Sequence, residues 1–109
     1  MAPTRELVEQ IYKSIILLIN NTSLRVISLY GGVSHKNQIC KLIEGIDIIV
    51  STTGRILDFL KSNTINLEYV ENLIVDEADR LLEMGFEKQL NEIINDNSKR
   101  ILIIRTSWN

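Results

Sequence analysis

Scarcity does most of the excluding in this chain. A single cysteine, Cys40, among 109 residues cannot form an internal disulfide and fits a reducing, intracellular compartment. A small, half-buried side chain is expected there. Five glycines and one proline are too few for a collagen-like repeat, and 45% hydrophobic against 24% charged residues is too apolar for a disordered chain. No apolar run reaches about 18 residues, the length a membrane-spanning helix needs. The opening Met1-Ala2-Pro3-Thr4-Arg5-Glu6 has no apolar signal-peptide core. Nothing in it separates nucleus, nucleolus and cytoplasm. A net charge of −2 gives no overall basic field for nucleic acid. That exclusion is soft, because backbone N–H groups and helix N-termini hold phosphates without net charge.

What is present is a small α/β pattern. A chain of this length makes one domain at most, burying roughly 60–70% of its unfolded surface. Leu7, Ile11, Ile15 and Leu18, flanked by Val8, Tyr12, Ile16 and Ile19, predict a helix over 6–19 capped by Thr4. Residues 25–30 read as a strand stopped by Gly31-Gly32. A second helix follows, capped by Ser34, with Ile39, Leu42 and Ile43 inward and Gly45 as its stop. His35 is placed in the loop before it. Residues 47–51 form the next strand, and Thr52-Thr53-Gly54-Arg55 turns it into a short helix bearing Ile56, Leu57, Phe59 and Leu60. Leu67-Glu68-Tyr69-Val70 gives one helical turn. After it come a strand over 72–75, a helix over 78–84 broken at Gly85, a helix marked by Phe86, Leu90, Ile93 and Ile94, and a strand over 101–104. None of these strands alternates cleanly. Short apolar strands separated by helices predict a mostly parallel sheet of about four strands, with helices on both faces.

In Leu73-Ile74-Val75-Asp76-Glu77-Ala78-Asp79-Arg80, apolar residues run straight into three carboxylates. Carboxylates at the carboxyl end of a buried parallel strand stand where open α/β sheets bind ligands. Asp76 could hold Mg²⁺ there, through water, and Glu77 could polarise a water near a phosphate. The alternative is structural: Asp76, Glu77 and Asp79 could cap the helix that follows. The pattern alone leaves both readings open.

Three further loops at the same expected edge carry Pro3-Thr4-Arg5-Glu6-Leu7, Gly31-Gly32 and Thr52-Thr53-Gly54-Arg55. Any one would be an ordinary strand-to-helix turn. In order and spacing, however, they resemble the DEAD-box ATP-dependent RNA helicases. Ala2-Pro3-Thr4-Arg5-Glu6-Leu7 is similar to motif Ia, Gly31-Gly32 to the GG motif, and Ser51-Thr52-Thr53-Gly54-Arg55 to motif Ib. Val75-Asp76-Glu77-Ala78-Asp79-Arg80 matches motif II, the Walker B element, and Leu81 to Glu87 its usual continuation.

The resemblance implies a RecA-like, P-loop NTPase type of fold that uses ATP and Mg²⁺. Asp76 would position Mg²⁺ on ATP, Glu77 would orient the hydrolytic water, and Asp79 would couple the nucleotide site to motif III. Pro3, Thr4, Arg5, Gly32, Thr52, Gly54 and Arg55 would line a track for RNA. Such a track reads the sugar-phosphate backbone, with RNA preference arising from 2′-hydroxyl contacts and strand shape.

Departures from the family matter as much. Thr53 stands where motif Ib has proline, which is expected to loosen that turn. Arg105-Thr106-Ser107, followed by Trp108, replaces the Ser-Ala-Thr of motif III, which is expected to impair coupling; Trp108 is expected as a partly buried anchor. No Gly-x-x-x-x-Gly-Lys-Ser/Thr phosphate loop and no adenine-reading Q motif occur in the sequence. The chain is therefore expected to be a partial N-terminal RecA-like domain over 1–109, short of its P-loop and of the second RecA-like domain that would be its partner. Exposed apolar area is expected beside the missing strand. Two functions follow: part of an RNA helicase that couples ATP hydrolysis to unwinding or ribonucleoprotein remodelling, or a catalytically inactive remnant that binds single-stranded RNA weakly.

Overall fold

The first helix begins where a side chain can satisfy its free amides. In the computed structural model, which describes residues 1–32, 34–65, 70–95 and 100–104, Thr4 is extended and its Oγ1 accepts the Leu7 N–H at 3.3 Å. Helix α1 then runs Arg5–Ile19. Val8 is fully buried, with Leu7, Ile11 and Ile15 packed beside it. Leu18 departs from its expected inward place: it is 80% exposed, and Leu17 is 79% exposed. The helix of 15 residues is about 22 Å long. The strands beneath it, of 4 residues each, are about 13 Å long. The last turn of α1 therefore overhangs the sheet.

Strand β1, Val26–Leu29, pairs in parallel with β2, Ile48–Ser51, in the register Val26↔Ile48 to Leu29↔Ser51. The crossover between them is α2, His35–Ile43. His35 thus opens a helix instead of lying in a loop. Ser34 is the N-cap but makes no side-chain capping bond. Gly45 terminates the helix at φ +98°, a conformation that glycine adopts without a Cβ clash. Arg25 locks this end down: its backbone N–H donates to Asp47 Oδ2 at 2.8 Å, and its guanidinium reaches the Glu44 and Gly45 carbonyls. Cys40 is exposed, not half-buried.

Helix α3, Thr53–Lys61, follows β2 directly. Strand β3, Asn72–Asp76, leads through α4, Ala78–Glu83, and α5, Glu87–Asn95, to β4, Arg100–Ile104. Phe86 precedes α5 instead of sitting on it, half-buried against Leu81 and Val75. β3 and β4 are parallel, in register from Asn72↔Arg100 to Asp76↔Ile104. The motif III positions Arg105 to Ser107, Trp108, the turn at 67–69 and the side chains of Ile43, Leu90, Ile93 and Ile94 lie outside the described residues.

Among the described residues, four parallel strands form two pairs, β1–β2 and β3–β4. Met1 and Ala2 join them. Ala2 N donates to Ser51 O at 3.0 Å and bridges Thr52 in parallel, while Met1 N donates to Ile74 O at 2.6 Å and Asp76 N to Met1 O at 2.9 Å. This seam lies at the carboxyl ends of β2 and β3. Below it the two strands belong to separate ladders.

Both faces of the β1–β2 pair are covered, as expected for this class. On one, α1 packs Val8, Ile11 and Ile15 against Val26, Ile48 and Val50. On the other, Ile27 and Leu29 meet Ile39 and Leu42 of α2 and Ile56, Leu57 and Phe59 of α3. A smaller cluster, Val75, Ala78 and Leu81, holds β3 to α4. Exposed apolar side chains include Ile74, Leu82 and Met84 near that cluster.

Candidate functional site

Because every pairing is parallel, the segments after β1, β2 and β3 emerge at one edge, and the Met1-Ala2 seam brings Pro3-Thr4-Arg5 to the same edge. Each expected site residue that is described falls along it. Their exposure differs.

Asp76 ends β3, half-buried, with Oδ1 accepting the Glu77 N–H at 2.9 Å. Glu77 occupies the N-cap position of α4 yet makes no capping bond through its side chain; its φ is +51° and ψ +47°. A left-handed backbone costs a residue with a Cβ about 1–2 kcal/mol. A residue serving only as a cap would be extended and would bond to the N2 or N3 amide. The capping explanation therefore fails for Glu77. Its carboxylate is instead 3.7 Å from Arg80 Nη1 across one helical turn. Asp79 lies half-buried in the first turn of α4.

Among the described residues, no group of three or more His, Cys, Asp or Glu residues comes together to hold a metal. That excludes a cage made by these residues alone. One carboxylate at a strand end does suit Mg²⁺, which keeps several waters and takes its other ligands from phosphates. Burial lowers the Met1 amine from 8.0 to about 6, with the charge of Asp76 opposing the shift.

On the other side of the seam, Arg5 is exposed and Pro3 is buried. Arg5 Nε bonds Glu9 Oε1 at 3.2 Å, an i,i+4 pair that raises the Arg5 pKa. Its guanidinium carbon lies 4.5 Å from the Tyr30 ring centroid. Gly32, exposed and at φ +81°, comes next: a Cβ placed on it would stand 3.8 Å from Arg5 Nη1. Thr52 is extended and caps α3 without a side-chain bond, and Gly54 has open space where a Cβ would be.

Arg55 is only 8% exposed and lies against the Phe59 ring at 5.8 Å. Thr53 stands at the turn expected to be loosened. It is the first residue of α3, 1% exposed, and its buried Oγ1 has no hydrogen-bond partner. Two residues at this edge, Tyr30 and Glu9, escape sequence reasoning. The i,i+4 spacing of Arg5 and Glu9 could have revealed the second. No local signal could have revealed the first.

Parallel strand pairs, one of them covered on both faces, with glycine, arginine and carboxylate loops at one carboxyl edge, define an α/β protein of the RecA-like kind. The comparisons narrow this. The model of the DEAD/DEAH box helicase family matches residues 1–107, and the chain belongs to that family. It is 46% identical over 90 residues, 83% of its own length, to the ATP-dependent RNA helicase RhlB of Vibrio campbellii. Over 99% of its length it is 38% identical to the ATP-dependent RNA helicase DBP3 of Scheffersomyces stipitis. A DEAD box protein from the hyperthermophile Methanococcus jannaschii superposes with a TM-score of 0.89 at 40% identity, covering 98% of this chain and 30% of that one. The chain spans 21% of the length of each of the two curated relatives.

Proposed function

We propose that this chain is the part of an ATP-dependent RNA helicase core that carries the hydrolytic carboxylates and one wall of the RNA track. It is read as a partial RecA-like domain over 1–109 that works with a P-loop and a second RecA-like domain. In this reading Asp76 holds Mg²⁺ through water at the phosphates of ATP, and Glu77 orients the attacking water. Asp79 links that site to the neighbouring strand. Arg5 and Gly32 meet the RNA backbone, with Thr4, Thr52 and Gly54 beside them, while Pro3 and Arg55 set the shape of the two loops from within. The protein would act inside the cell on RNA without base preference, unwinding duplexes or remodelling ribonucleoproteins.

The observation that carries this reading is the seam. Met1 and Ala2 bond to both β3 and β2, so the loop bearing Arg5 and the strand end bearing Asp76 share one edge. In the complete protein, Glu77→Gln should lower RNA-stimulated ATP hydrolysis by about 10²–10⁴-fold, since it removes a general base and little volume. Full turnover in that variant would refute the assignment.

A second reading is favoured by the absence of a phosphate-loop sequence from these 109 residues: taken alone, the chain hydrolyses no ATP and binds single-stranded RNA weakly. Titrating it with labelled RNA at two salt concentrations tests this. Binding that ignores salt, or that survives Arg5→Ala and Arg55→Ala unchanged, would sink it.

A further inference from the structure

Arg5 is exposed yet held on three sides. Glu9 takes its Nε at 3.2 Å, the Tyr30 ring lies 4.5 Å from its guanidinium carbon, and the bare backbone of Gly32 borders Nη1. Tyr30 is itself fixed: it follows β1, packs into the cluster of Val8 and Val50, and its carbonyl accepts the Nε2 amide of the buried Gln38 at 3.2 Å. An unrestrained surface arginine loses side-chain entropy when it grips a phosphate. A guanidinium already parked on an aromatic face loses less, and its N–H fork stays aimed.

We propose that Tyr30 is a positioning residue for Arg5: its ring fixes the guanidinium plane beside Gly32, so that the remaining donors face a phosphate of single-stranded RNA. The proposal rests on the reading that Arg5 contacts RNA. Glycine at position 32 fits it through its backbone, because φ +81° is a conformation that side-chain-bearing residues rarely adopt, while a Cβ there would meet Arg5 Nη1 only at an ordinary 3.8 Å. Tyr30 itself touches no RNA in this arrangement; it acts through Arg5.

The test is a mutant cycle in the complete protein, measuring affinity for a labelled single-stranded oligoribonucleotide across a salt series. Arg5→Ala should weaken binding and shrink the salt slope by about 0.7, the contribution of one phosphate contact on a single strand. Tyr30→Ala should weaken binding about two- to fivefold with the salt slope unchanged, because the charge remains and only its cation–π seat is lost. Tyr30→Phe, which keeps the ring face and gives up only the phenolic hydroxyl's bond to the Arg5 side chain, should bind nearly as the unaltered protein does. In the Arg5→Ala background, Tyr30→Ala should have no further effect. If Tyr30→Ala disturbs the thermal melt, Tyr30→Leu replaces it, keeping the bulk and losing the ring face.

A Tyr30 effect of equal size with and without Arg5 would overturn the proposal and leave the RNA track standing. Loss of affinity in Tyr30→Phe would overturn it too. No effect of Arg5→Ala would remove both the proposal and the RNA reading beneath it.

Discussion

The two strand pairs carry different loads. Around β1–β2, α1 covers one face and α2 with α3 the other, and the largest fully buried side chain, Phe59, lies there. Around β3, the buried cluster among the described residues is Val75, Ala78 and Leu81, while Ile74 on the same strand is 47% exposed. The first pair is a covered sheet whose edge loops are pinned. The second carries the carboxylates, stores strain at Glu77, and meets the first pair through the backbone of Met1 and Ala2. The candidate carboxylates thus stand at a strained strand end, beside the seam that joins the two pairs. Strained backbone is often found at functional sites and persists there because the surrounding structure over-determines it.

The largest expected effect falls on the first pair. Phe59→Ala should cost about 3–5 kcal/mol in urea unfolding, since an aromatic ring leaves a cavity that cannot collapse against two helices and a sheet. Leu81→Ala is the matched probe in the other half. It should lower amide protection around 76–86 while Val26–Leu29 keep theirs; equal loss in both would erase the distinction.

A smaller, opposite change concerns motif Ib. Thr53→Pro should stabilise by about 1 kcal/mol: it removes a buried hydroxyl without a partner, suits the first position of α3, and follows a residue, Thr52, already extended at ψ 152°. A lowered melting temperature would contradict this. Least of all, Glu9→Ala should leave the melting temperature nearly unchanged, because the Arg5–Glu9 pair is 51% and 40% exposed and screened by solvent.

Much of this was legible beforehand wherever short-range chemistry decides. Thr4 caps α1 and Gly45 ends α2 because capping needs only neighbours, and the family follows from motif order alone. The inward stripe of α1 was legible as far as Ile15, and wrong at Leu18, because the length of the sheet under a helix is not written in the helix. His35 was misplaced because a single residue beside a boundary carries no periodicity, and Cys40, inside α2, because its type does not say which face of the helix it lies on.

By itself the sequence determined the α/β class, the alternation of elements, and Asp76 and Glu77 as a strand-end pair. Each depends on spacing along one segment. Only tertiary structure decided that Met1 and Ala2 stitch two parallel pairs at their carboxyl ends, that Arg55 turns inward against Phe59, and that Tyr30 seats Arg5. The contacts of Met1, Ala2 and Tyr30 join residues far apart in the chain, and Arg55, one turn from Phe59, is buried only because of what packs around α3.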